Sequence, residues 1–161
     1  MLLRTHCRHS ILLSALALAT LGGASVAQAE TSHFFGRWTV SDDKPAFSAK
    51  GLPYKTVDIA ACGADFCGVS VDDKGTCGAT LFRFLTIHAN NEDLTGHGLW
   101  GDLKKKLQLI YLTPDGQKTG LMIGLGADDF DFTGREGSMP IFQANYQSAG
   151  EAKCTVGGHT S

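Results

Sequence analysis

The sequence predicts an all-β fold, an antiparallel barrel of about eight strands with at most one short helix, stapled by disulfides. Three observations predict it. Apolar and polar residues alternate with a period of two through most of the chain beyond Gly36. Clusters of Gly, Pro, Asp and Asn break those runs at short intervals, as turns between strands do. Four cysteines remain once an N-terminal export segment is set aside, an even number in a small exported domain.

The export segment comes first. Arg4, His6, Arg8 and His9 make a basic start, Ile11 to Val26 is apolar, and Ala27-Gln28-Ala29 is a small-x-small cleavage pattern. The apolar part is short for a membrane span and holds Ser14, Thr20, Gly22 and Gly23. Residues 1–29 are therefore expected to be a signal peptide, and 30–161 a single periplasmic or secreted domain of a bacterial cell. Cys7 leaves with the signal, and no second long apolar run offers a membrane span. The mature part carries 12 basic and 16 acidic residues, a net charge of −4. That balance, with one short basic run, does not suit nucleic-acid binding.

Along the mature chain, Gly36 to Ser41 alternates around Trp38 and Val40 and reads as a strand. Asp42 to Pro53 reads as a long loop. Tyr54 to Ala61 and Cys67 to Val71 read as a hairpin around Gly63 to Phe66, followed by the turn Asp72-Asp73-Lys74-Gly75. Thr80 to His88 fits either period. Its apolar residues lean towards a short helix that stops before Asn90-Asn91. Leu94 to Trp100, Lys105 to Thr113, Gly120 to Gly126, Asp129 to Thr133 and Met139 to Gln147 read as further strands, with Pro114-Asp115-Gly116 as a turn. Gly157 to Ser161 reads as a frayed tail.

Cys62, Cys67, Cys77 and Cys154 allow three pairings. The expected one is Cys62–Cys67 across the hairpin and Cys77–Cys154 closing most of the domain, because residues flanking a hairpin loop lie opposite one another. The spacing does not suit a zinc site or a thioredoxin-type redox pair.

The early Gly36-Arg37-Trp38 strand is similar to the opening of lipocalin-like (calycin) barrels. The later layout resembles small exported bacterial proteins of unknown function that carry such barrels, with Val57 to Val71, Gly78 to Leu85 and Leu94 to Tyr146 as the matching stretches. The resemblance implies a barrel and an envelope location. It transfers no catalytic residue.

Trp38, Phe84, Trp100, Phe132 and Tyr146 are the candidate ligand-lining residues, with indole N–H and phenol O–H as polar anchors. The plainer reading, which the sequence favours, is that they fill an ordinary barrel core. Asp128-Asp129-Phe130-Asp131 is the nearest approach to a metal site. Strand alternation turns Phe130 and Phe132 inward and Asp129 outward, so no calcium site is expected there. His88 and His97 lack a metal-binding spacing, and Ser70, Ser138 and Ser148 lack a nucleophile context. Lys104-Lys105-Lys106 reads as a solvated strand entrance.

No cofactor, no metal and no catalysis are expected. The expected function is a non-catalytic periplasmic binding or envelope accessory module, a monomer holding a small apolar or amphipathic ligand. The alternative is a protein-interaction module acting on an envelope protein, such as a protease or lysozyme inhibitor. An open apolar interior favours the first; a filled core with an exposed apolar loop near Pro45 to Pro53 favours the second.

Overall fold

The structure, a computed structural model, describes residues 32–89, 93–112, 120–127, 129–130, 132 and 140–156. The signal segment, Asp128, Asp131, Ser138, the Pro114 turn and the tail from Gly157 lie outside them.

Among the described residues, eleven strands follow a short 3-10 turn at Ser32–Phe34. They are β1 (Gly36–Val40), β2 (Ala46–Phe47), β3 (Pro53–Tyr54), β4 (Thr56–Cys62), β5 (Asp65–Val71), β6 (Cys77–Phe84), β7 (His88–Ala89), β8 (Asp93–Trp100), β9 (Leu103–Leu112), β10 (Gly120–Gly126) and β11 (Phe142–Gly150). β2 and β3 form a separate two-stranded hairpin. The other nine form one antiparallel sheet in the order β6-β5-β4-β1-β11-β10-β9-β8-β7, and β6 also pairs with β8. That last pairing closes a ring of eight strands, β1, β4, β5, β6, β8, β9, β10 and β11, each bonded to its neighbours. The fold is all-β and disulfide-stapled, as the alternation predicts. Closure leaves no long sheet edge open.

Side chains follow the pleat. Trp38 and Val40 of β1, Val57 and Ile59 of β4, Leu107 and Leu109 of β9, Leu121, Ile123 and Leu125 of β10, and Ala144 and Tyr146 of β11 face inward and join one buried cluster. Arg37, Asp58, Gln108 and Gly124 alternate with these and face outward. Phe34 and Tyr54, from outside the ring strands, join the cluster from the connections that close its two ends.

Two expectations are corrected. Thr80 to His88 is not a helix: Cys77–Phe84 is a strand, and His88–Ala89 is a second, short one. The misleading signal is the adjacent burial of Leu81 and Phe82, which breaks the period of two. It arises where the register of β6 on β5 shifts. Asp129, Phe130 and Phe132, the described residues of the Asp129 to Thr133 stretch, are not in a strand either. Phe130 and Phe132 lie edge to face, ring centroids 4.7 Å apart, and pack on the outside of β10. A Cβ on Gly126 would sit 2.2 Å from Phe130, and one on Gly124 would sit 3.2 Å from the Phe132 ring. β10 carries glycine at 124 and 126 because aromatic rings cover its outer face there.

Disulfides join Cys62 to Cys67 and Cys77 to Cys154. The hairpin register differs from the expected one. Cys62 faces Asp65 and Cys67 faces Ala60, across a tight turn with Gly63 at φ 72°. The two cysteines are therefore diagonal neighbours on the outer face, with Cα atoms 5.8 Å apart. The second bridge ties residues 151–156 as a strap over the outside of β4 and β5, where Cys154 is buried against Val69 and Val71.

Candidate functional site

The interior is occupied by side chains. Trp38, Phe84, Trp100 and Tyr146 all belong to its buried cluster, so the structure brings together four of the five candidate lining residues. Phe132 is the exception: it lies outside, over Gly124. Within the ring, Phe66 meets Phe84 edge to face at 5.4 Å, Phe84 meets Phe82 edge to face at 6.0 Å, and Phe82 stacks on Trp100 at 6.4 Å. Trp100 in turn touches Phe142 at 5.2 Å. Such pairs add to area burial and fix ring positions. The polar handles of the interior are spent within the protein. Trp38 Nε1 donates to the Phe34 carbonyl at 3.0 Å. The hydroxyls of Tyr54 and Tyr146 share a hydrogen bond at 2.8 Å. Burial pushes the Tyr54 phenol up to about 12, although its bond to Tyr146 opposes the shift. Burial likewise raises Tyr146 well above its ordinary value. Both stay neutral and serve as packing groups with one mutual bond.

The best-formed opening lies at one end of the ring. The strand directions gather there the connection 41–55, the turn 72–76, the turn 101–102 and the start of β11. The cleft has a volume of about 510 Å³. Pro45, Leu52 and Pro53 line one side, and Val71, Ala79 and Leu81 the other, with Tyr54 among the lining residues. Ser48, Ser70, Lys55, Asp72 and Asp73 supply its polar groups. Most of these are already engaged. The Ser48 hydroxyl accepts from Leu52 N at 3.1 Å, Ser70 Oγ donates to the Ala79 carbonyl at 3.1 Å, and Asp72 Oδ1 accepts from Lys74 N and Thr76 N at 2.9 and 2.7 Å. The walls are thus rigid and mainly apolar.

The same end carries four of the six exposed large hydrophobic side chains among the described residues. Phe47 (50% exposed), Leu52 (62%), Leu103 (53%) and Ile141 (64%) all belong to segments that close it. The segments are in contact: a Cβ on Gly101 would lie 3.0 Å from Ala49 Cβ, and Ile141 N donates to the Leu125 carbonyl at 2.8 Å. The sequence names no site residue here, but an exposed apolar loop near Pro45 to Pro53 is the feature it ties to a protein-interaction role. The available signal was Phe47 and Leu52 inside a long Pro- and Gly-containing loop, since loops positioned by a scaffold carry binding.

Elsewhere the polar groups are structural. Asp58 is fully buried on the outer face and is missing from the sequence-based candidates. Its Oδ1 accepts from Arg37 Nε at 2.7 Å. Its Oδ2 accepts from Arg37 Nη2, Lys153 N and Cys154 N, each at 2.8 Å. Burial opposes its ionisation, but these four donors outweigh it and hold the carboxyl below its ordinary range. Asp93 accepts from Gln108 Nε2 at 3.2 Å, and burial raises its carboxyl despite that bond. His88 and His97 are exposed on neighbouring strands. Among the described residues, no group of three His, Cys, Asp or Glu side chains is placed to hold a metal ion. No protein family, curated protein or solved structure matches this chain.

Proposed function

We propose that the chain is an exported, non-catalytic binding module of the cell envelope, monomeric and lipocalin-like in its barrel. We further propose that it engages an envelope protein through the end of the ring that carries the 41–55 loop. The carrying observation is the distribution of apolar surface. The ring interior is occupied by aromatic side chains, while Phe47, Leu52, Leu103 and Ile141 are exposed on segments at one end of the ring, where Leu52 lines the cleft. Exposed apolar groups gathered around a cleft mark interaction sites in soluble proteins. Two disulfides fit the oxidising compartment that the signal segment implies. A second reading, a small apolar molecule in the cleft, is supported by its volume, which falls within the range of small-ligand sites.

Native mass spectrometry of the protein purified from its own periplasm tests both. A bound protein that is lost in Phe47→Asp and Leu52→Asp variants supports the first reading. A bound small molecule lost in Leu52→Asp supports the second. Recovery of the bare chain alone, under conditions that preserve other envelope complexes, counts against both.

A further inference from the structure

We infer that the cleft receives an extended peptide segment of a partner protein, added as a short strand to the free edge of β6 at Cys77–Thr80, with an apolar side chain seated in the cleft. This rests on the reading that this end of the ring is the binding end. The ring closes through β8, but β8 pairs with β6 only over Phe82–Phe84. Just before that, the Leu81 carbonyl accepts from Gly101 N at 3.0 Å. Among the described residues, Cys77, Gly78, Ala79 and Thr80 therefore have β5 on one flank and no strand on the other, and all four are exposed.

The edge lacks the usual guards. Native edges carry lysines, prolines or inward charges that discourage pairing. Gly78, Ala79 and Thr80 are small and uncharged, so another backbone can approach closely. The Cys77–Cys154 bridge and the Ser70 Oγ bond to Ala79 fix the segment in place, which lowers the ordering cost of docking. Gly78, Ala79 and Leu81 also line the cleft, so one bound strand reaches both the edge and the apolar pocket. That combination is the signature of strand addition: main-chain bonds give affinity and alternate side chains give specificity.

The occupant is a short segment rather than a second copy of this chain. Beyond Leu81 the flank of β6 is already taken by β8 and its turn. A copy pairing the same edge about a two-fold axis would bring its own 72–76 turn against that occupied stretch. Four residues span about 13 Å, so the partner contributes a short extended segment with apolar residues at every second position. Lys55, Asp72 and Asp73 place charges of both signs on the lining, which disfavours a segment of uniform charge.

A phage-displayed library of random dodecapeptides, panned on the oxidised full domain, tests this. Enriched peptides should alternate apolar and polar residues. Ala79→Lys and Leu52→Asp should each weaken their binding about tenfold or more, as loss of an anchoring contact does. Leu85→Asp, an exposed position at the opposite end of the ring, should leave binding unchanged. In the unaltered protein, bound peptide should slow amide exchange across Gly78–Thr80. The inference is overturned by no enrichment over bare support, by peptides that bind Ala79→Lys like the parent, or by unchanged exchange at those amides. A periplasmic partner lost in Leu52→Asp but retained in Ala79→Lys would sink strand addition while leaving the proposed function standing. A partner retained in both would sink the two together.

Discussion

Asp58 illustrates how one buried carboxylate can organise three segments. It sits on β4, pairs with Arg37 of β1, and takes two backbone N–H groups from the strap at Lys153 and Cys154. Its lowered carboxyl makes stability pH-dependent in a definite direction. The contribution is complete above the ordinary value of 3.8 and is lost as pH falls through the lower folded value. Urea melts of the parent should therefore weaken as the solution is acidified below that value, and Asp58→Asn should flatten this part of the profile. At neutral pH the same variant should lose about 3 kcal/mol, the lower end for breaking a buried pair, because Arg37 retains partial access to water. Trp38 acts through packing instead. It is buried beside Phe34 and bonded to its carbonyl, so Trp38→Ala should cost about 3–5 kcal/mol in the same melts. A loss below about half a kcal/mol, the size of a surface substitution, would contradict its place in the core.

At the scale of elements, legibility followed how regular each strand is. β1, β8 and most of β9 and β11 alternate, β10 is a near-continuous apolar run, and their existence is readable from residue order alone. β6 was misread as a helix because a shifted register buries Leu81 and Phe82 in succession. Phe130 and Phe132 were misread as inward because alternation was applied to a segment that is not a strand. The bare outer positions Gly124 and Gly126, each opposite in direction to inward Ile123 and Leu125, were the available clue that rings lie outside. Asp58 was unreadable for a different reason. Its partners are 21, 95 and 96 residues away, and only the sheet register and the strap bring them together. The candidate cleft was half legible: the Pro45 to Pro53 loop stands out in the sequence, but the other wall, from Ser70 to Leu81, meets it only in the closed ring. The strap itself yields a prediction. Cys77 and Cys154 are 77 residues apart, so their bridge restricts the unfolded chain far more than Cys62–Cys67, 5 residues apart. Replacing Cys77 and Cys154 by Ser should cost about 4–5 kcal/mol, and the short bridge about 2, on the chain-entropy account. Equal losses in parallel denaturation curves would show that native-state contacts, not loop closure, dominate.

The whole molecule depends on a closed ring, and the ring is thinnest where β6 meets β8. β8 and β9 share eight register pairs, β10 and β9 share seven and β1 shares four with each of β4 and β11, whereas β6 and β8 share three. The seam is thin because β6 crosses β8 at close range and then breaks off, with Leu85 N and Thr86 N both donating to the His97 carbonyl at 2.9 and 3.1 Å. Glycine at 96 and 98 permits that crossing. A Cβ on Gly98 would lie 2.1 Å from the Arg83 carbonyl oxygen and 2.7 Å from Leu107 Cδ1, and one on Gly96 would lie 1.8 Å from the Thr86 carbonyl oxygen. The first obstacle in each case is backbone, which cannot swing aside as a flexible side chain can. Gly98→Ala should therefore destabilise by at least the about 1–3 kcal/mol typical of overpacking. The loss should also be uneven. Opening the seam leaves the meander from β9 through β11 and β1 to β5 hydrogen-bonded, so amides of Phe84 to Thr86 should exchange early while those of Leu121 to Leu125 stay protected. If Gly98→Ala instead melts like the parent, or loses protection evenly around the ring, the close crossing of β6 over β8 does not govern closure.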